Sequence, residues 1–277
     1  APFCLALGLL SAEAAIATLA YLLAYALFLE RNTWPQRLFS LCPALCTVII
    51  WRIIYRSLGY GAWGTSYIDP LGDPLRYIMA MIERVPILLL AQWAYPPAEL
   101  YPFVAAPTTT WWWLIAFATL SLLTWLLWPH LRSDSNACAH ARFCAAGMLL
   151  STLPPAASLP ANRLLFFVGL GAMGLLATLI PTYTQLATIK RLTLRPLIAI
   201  HLLLAPLMLP LTAFSPALFG NIEPAINSLP TDTHLAQQDL IIINAPTFFA
   251  TGYIAPIRRF NQQPLPQRIR FLGADLT

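Results

Sequence analysis

The sequence predicts an all-α polytopic membrane bundle of about six to seven membrane helices plus one re-entrant or interfacial helix, followed by the start of a C-terminal α/β extramembrane domain. Three observations carry this. Of 277 residues, 58% are hydrophobic and 10% charged, against roughly 25% charged for a soluble domain. Mean hydropathy is +0.67. The apolar residues also fall in long runs. The clearest are Phe143 to Leu153 and Leu164 to Ile180, joined by a proline-rich hinge that carries one uncompensated charge, Arg163.

The elements follow in order. Ala1 to Leu10 is an apolar helix, interrupted by Ser11-Ala12-Glu13 before the run Ala14 to Leu29. The chain opens inside an apolar run, so the expectation is a fragment whose upstream helices are missing. Ser11 reads as an N-cap with Glu13 in the first turn, which favours the helix dipole. After a polar connection, Leu38 to Leu58 is long enough to span and carries Arg52 and Arg56 in its last two turns. A glycine- and proline-broken loop holds Asp69 and Asp73, each before a proline, a common turn device.

Arg76 to Tyr95 reads as a half-buried or re-entrant helix. Glu83 and Arg84 interrupt it, and its apolar part is too short to cross. The next span opens at Trp111-Trp112-Trp113 and closes with Trp125 and Trp128, tryptophans suited to the two interfaces. The pair of runs around Arg163 follows, and Leu197 to Leu211 is a final span broken by Pro206 and Pro210. Beyond Phe219 the sequence predicts a polar linker, a strand at Asp239 to Asn244, a helix at Thr247 to Phe260 and a strand at Arg268 to Leu272. That is a βαβ unit. The expected division is a membrane domain over 1–219 and an extracytoplasmic linker with truncated α/β domain over 220–277.

Other classes are excluded. Five cysteines in or beside apolar runs, with no C-x-x-C pair and no histidine at ligand spacing, indicate small hydrophobes rather than disulfides or a metal site. The net charge of +5 lies mainly in arginines between helices, without the clustering that nucleic acid requires. Gly169, Gly171 and Gly174 have dinucleotide-site spacing, but they sit in an apolar span with no strand before them and read as a helix-packing surface.

Lysine and arginine place Arg31/Arg37, Arg132/Arg142 and Lys190/Arg191/Arg195 in cytoplasmic loops. The opposite face then holds Glu13, Asp69, Asp73, Arg163 and the C-terminal tail. Arg52 and Arg56 end a helix there, and Arg76 and Arg84 lie on the intervening segment. Arginine's planar fork suits phosphate. Glu13, Arg52, Arg56, Arg76, Arg84 and Arg163 are therefore the candidate binding residues for a lipid phosphate at this depth. Arg52 and Arg56 equally suit snorkelling to headgroups, Arg163 a boundary anchor, and Glu83 with Arg84 an interfacial pair facing different sides.

Three segments carry a resemblance. Leu7 to Ala17 (LGLLSAEAAIA) is similar to the "LLSKE-x-A" segment of the GT-C class of polytopic glycosyltransferases, in particular the protein O-mannosyltransferase-like family with tetratricopeptide tails. Trp51 to Gly59 (WRIIYRSLG) resembles that family's "YLxLRxxxLG". Leu149 to Gly171, through Leu153-Pro154 and Asn162-Arg163, resembles its "LLPxxN…ERFLYLPSLG". The order matches, although Ala12 stands where the family has Lys, Asn162 where it has Glu, and no tetratricopeptide repeats follow. The resemblance implies sugar transfer from a polyprenyl-phosphate donor on the outer face. Glu13, Arg56 and Arg163 would support the donor, and the catalytic acid would lie in a loop preceding this fragment. The expected surroundings are the lipids of a bacterial cytoplasmic membrane, with the C-terminus extracytoplasmic as the lysines and arginines place it. The alternative is a non-enzymatic anchor presenting the C-terminal domain.

Overall fold

The computed structural model describes residues 2–60, 67–104, 108–132, 136–214, 222–230, 232–243, 254–255 and 257–272. It is mostly helical and forms two compact units, Ala1–Ile200 and His201–Thr277. The boundary expected at 219/220 lies outside the described residues.

The first unit runs α1 (Pro2–Ser11), a 3-10 segment Glu13–Ala17, α2 (Thr18–Phe28), α3 (Trp34–Ser57) and α4 (Pro74–Trp93). A 3-10 turn Ala98–Phe103 leads to α5 (Thr108–Arg132), α6 (Asn136–Leu150) and the single turn α7 (Leu153–Ala156). A 3-10 turn Asn162–Leu164 precedes α8 (Phe166–Leu179), and α9 (Thr188–Ile198) follows. Thr33 starts α3 through a capping box with Gln36, next to Pro35 in the first turn. Asp73 caps α4 by accepting the Arg76 N–H, with Pro74 at the first helical position.

Among the described residues, three helices are long and apolar enough to cross a membrane: Trp34–Ser57, Thr108–Arg132 and Thr188–Phe214. This is fewer than the six to seven expected, because the remaining apolar runs fold as shorter helices. Glu13–Phe28 and Phe166–Leu179 fall below the length of a spanning helix. The third long helix comprises α9, a π-helical stretch Ala199–Leu204 and α10 (Ala205–Phe214). The wide π turns lie just before Pro206, whose ring would otherwise meet the carbonyl one turn back.

The long helices and the short ones bury differently. Along α3 the side chains of Ile49, Ile50, Ile53 and Ile54 are exposed. The centre of the unit is instead built from Leu88, Trp93, Leu126, Val168, Leu175 and Leu179, on α4, α5 and α8. The interhelical spaces rest on glycine. Tyr21 of α2 fits against Gly147 of α6, and Gly171 of α8 lies against the Cys144 carbonyl and Met148 of α6. Gly171 thus allows the close helix approach that its spacing with Gly169 and Gly174 predicts.

α4 is half-buried, as expected, and is not one of the helices long and apolar enough to cross. Its first half lies across α7, where Tyr77 Oη donates to the Leu153 carbonyl at 2.9 Å. Past Pro86 it enters the core, where Ile87, Leu88, Leu90 and Trp93 are wholly buried. Glu83 and Arg84 mark the change of surroundings rather than a break in the helix.

In the second unit, α11 (Ile222–Asn227) precedes β1 (Asp239–Ile243) and β2 (Arg268–Leu272), which pair in parallel with Asp239 opposite Arg268. The strands stand where expected. The described part of their connection is helical at 254–255 and 257–260, while most of the predicted helix from Thr247 lies outside the described residues, as does Asn244. The pair alone does not amount to the expected α/β domain. Arg258 is fully buried and ties the unit together, donating from Nε to the Pro264 carbonyl at 2.9 Å and from Nη2 to the Pro230 carbonyl at 2.6 Å.

Candidate functional site

The charged residues singled out in the sequence gather at one end of the first unit, and the local chain explains each position. Ser11 is the last residue of α1 and turns back, its Oγ donating to the Leu7 carbonyl at 3.0 Å. The expected N-cap role is thus unfilled, because Ala12 is extended and has no capping side chain. Glu13 then opens the 3-10 segment with its carboxylate exposed, where Oε1 accepts a hydrogen bond from Tyr55 Oη.

Tyr55 links Glu13 to Arg52. The Arg52 guanidinium stands 5.9 Å from the Tyr55 ring centroid, one helical turn back. Arg52 Nη2 donates to both Asp69 oxygens, at 2.8 and 2.9 Å, with both side chains about a quarter exposed (26% and 29%). Asp69 Oδ1 also accepts the Leu71 N–H at 3.2 Å, so a turn orients the carboxylate. Tyr67 completes the group, its phenol pushed above the ordinary value by burial and by the Asp69 and Glu13 carboxylates.

Arg84 is engaged in a different way. Its Nη1 donates to the carbonyls of Ala156 and Ser158, at 3.0 and 2.8 Å, satisfying the end of α7. Glu83 faces elsewhere and accepts from Tyr101 Oη at 3.1 Å. The chain after α4 is held beside the Arg163 turn by a two-way clamp. Glu99 Oε1 accepts the Asn162 N–H at 2.6 Å, and Asn162 Oδ1 accepts the Ala98 N–H at 3.0 Å.

Arg56, Arg76 and Arg163 are exposed. Their guanidinium groups make no hydrogen bond or ion pair among the described residues. Arg163 sits in the 3-10 turn before α8, Arg56 in the last turn of α3 and Arg76 in the first turn of α4. Glu13 and Arg163 lie at the same end: the 3-10 segment of Glu13 packs on α7, α7 packs on α4, and α4 packs on the turn of Arg163. Glu13 and Arg52 are brought together through Tyr55, Arg84 is held by α7, and the other three point outward.

Sequence reasoning missed Tyr55, Tyr67, Glu99 and the clamp role of Asn162. Tyr55 carried a signal, since it lies three residues after Arg52 on a helix. The Glu99–Asn162 clamp joins residues 63 apart and carried none. Among the described residues no group of histidine, cysteine and acidic side chains is placed to hold a metal ion. Compared with known proteins, the chain matches no family model, no curated protein and no solved structure.

Proposed function

We propose that this chain is an integral membrane protein whose charged end binds the phosphate of a lipid carrier, and that it belongs to a sugar transferase acting on a polyprenyl-phosphate-linked donor. The carrying observation is the set of three outward guanidinium groups, Arg56, Arg76 and Arg163, at one end beside the fixed Glu13–Tyr55–Arg52–Asp69 chain. In this reading the short apolar helices Pro2–Ser11, Glu13–Phe28 and Phe166–Leu179 also lie within the bilayer. The loops with Arg31, Arg132 and Lys190 face the cytoplasm of a bacterial cell, and the chain beyond the third long helix lies outside.

The chemistry follows from charge. As the bond between the sugar's anomeric carbon and the carrier phosphate breaks, negative charge grows on the phosphate oxygens while the acceptor oxygen bonds to that carbon. Preorganised cations stabilise that charge more in the transition state than in the ground state. Arginine meets it with a planar pair of donors. The base that takes the acceptor's proton is not assigned to a residue of this chain.

One observation favours the second reading, a membrane anchor presenting its C-terminal unit. The carboxylates of Glu13 and Asp69 are already satisfied by Tyr55 and Arg52, as in a structural network. The test uses the chain in lipid nanodiscs with a polyprenyl-phosphate donor carrying a labelled sugar, measuring donor retained and sugar transferred. Arg56→Gln and Arg163→Gln should each lower retention roughly tenfold, as loss of a charged hydrogen bond implies. Retention unchanged in both variants removes these residues from the site. A chain that retains no donor at all selects the anchor.

A further inference from the structure

We infer a second phosphate site at the opposite end of the first unit, taking the headgroup phosphate of a glycerophospholipid. Glu13–Phe28 separates the two ends by roughly 25 Å along its axis. At the far end the connection from α2 to α3 and the first turn of α6 enclose a cleft of about 640 Å³. Its polar lining comes from Tyr25, Glu30, Arg31, Arg37, Asn136 and His140.

The side chains divide into those already committed and those free to bind. Arg37 is fixed: Nε donates to the Asn32 carbonyl at 2.7 Å, and its guanidinium stands 5.1 Å from the Trp34 ring centroid. The Glu30 carboxylate is turned to Asn32 Nδ2 at 3.0 Å and Ser40 Oγ at 3.2 Å, so its charge is partly answered from outside the cleft. His140 Nδ1 pairs with the Asn136 carbonyl at 2.8 Å, leaving Nε2. The Arg31 guanidinium is exposed and makes no hydrogen bond or ion pair among the described residues. A held arginine, a free arginine and neutral donors around one cavity make a receptor for a single anion with several oxygens.

The surroundings identify the source of that anion. The cleft opens beside the start of α3, a helix of membrane length. Trp34 at its first position is 58% exposed, and Leu38 and Phe39, the next turn, are 54% and 76% exposed. An exposed tryptophan followed by exposed apolar side chains is the profile of the headgroup level above an acyl-chain surface. A phosphate in the cleft would therefore have its acyl chains running down α3. Basic clefts between helices at the membrane surface recognise phospholipid headgroups in this way.

The experiment measures lipid retained by the full chain in native mass spectrometry. Dioleoylphosphatidylglycerol is compared with a galactolipid of the same acyl chains, and glycerol phosphate serves as the soluble arm. Phosphatidylglycerol should be retained in preference to the galactolipid. Arg31→Gln, whose guanidinium has no partner among the described residues, should lower its retention roughly tenfold. Arg259→Gln, on the exposed surface of the C-terminal unit and outside both ends, should leave it unchanged. Equal retention of both lipids, or no change in Arg31→Gln, overturns the site. Glycerol phosphate binding as tightly as the lipid reassigns the cleft to soluble phosphate esters and overturns the lipid assignment. The donor assay for the first end is separate, so either reading can fail alone.

Discussion

Gly171→Ala tests how the core is built. A methyl group there would lie 2.4 Å from the Cys144 carbonyl oxygen, 2.7 Å from Met148 Cβ and 2.8 Å from Tyr21 Oη. The nearest obstacle is backbone and cannot rotate away, so α6 and α8 must separate. Overpacking costs about 1–3 kcal/mol, and this site belongs at the upper end. Replacing glycine in a helix returns about 1 kcal/mol, leaving a net loss near 2 kcal/mol. For a unit of this size that lowers Tm by roughly 4–8 °C. Two neighbours on the same helix provide the comparison. At Gly174 the close atom is Cys144 Sγ at 2.5 Å, and at Gly169 it is the Gln92 amide end at 3.3 Å. Melting in detergent, followed by intrinsic fluorescence, should rank Gly169→Ala above Gly174→Ala and Gly171→Ala lowest. Adding Cys144→Ala should rescue Gly174→Ala, because Sγ is removed, but not Gly171→Ala, because the carbonyl remains. A Gly171→Ala protein as stable as wild type, or one rescued by Cys144→Ala, refutes the reasoning.

Arg84→Met should cost about 2–3 kcal/mol, because two carbonyls at the end of α7 lose their donor inside a half-buried site. Arg76→Met, whose guanidinium has no partner among the described residues, should melt with wild type, and equal melting of the two variants contradicts the role given to Arg84. Stability should also fall in alkali. Burial raises the phenols of Tyr67 and Tyr101, and the Glu83 carboxylate adds to the effect at Tyr101. The fold therefore favours the protonated phenol. That contribution is complete below the ordinary phenol value of about 10 and disappears as pH rises through the raised values. Tyr101→Phe should flatten the decline of Tm above that pH, and an unchanged slope excludes Tyr101 as a contributor.

Local signals were legible in the sequence, and pairings between distant segments were not. The start of α3 follows from Thr33, Pro35 and Gln36, and the start of α4 from Asp73-Pro74, because capping involves residues within one turn. The strand at 239 stands out as a short apolar segment beyond a polar linker, and the one at 268 as two arginines alternating with apolar residues. Spacing also foretold that Gly171 would permit close helix contact. That α4 is half-buried was legible from the short apolar part after Arg84, whereas the seat of its first half across α7 was not, because that contact joins residues 76 apart. Arg84 carried the same charge signal as Arg163, and only the fold shows that one meets carbonyls and the other does not. The reach of Tyr55 to Glu13 spans 42 residues and depends on how α1 and α3 pack.

The uneven helix lengths bear on how the chain is made. A largely apolar helix of 24, 25 or 27 residues can leave the insertion machinery for lipid on its own hydrophobicity. The 15 residues of α6, with Asn136 and Arg142 in its first half, and the 14 of α8 cannot. Assembly would thus proceed from the outside inward: the longer segments settle first and act as scaffolding, and the short glycine-bearing ones are retained only as they find each other. A substitution that spoils the glycine contacts would then reduce the yield of inserted protein during synthesis, in addition to lowering the melting temperature of what is recovered.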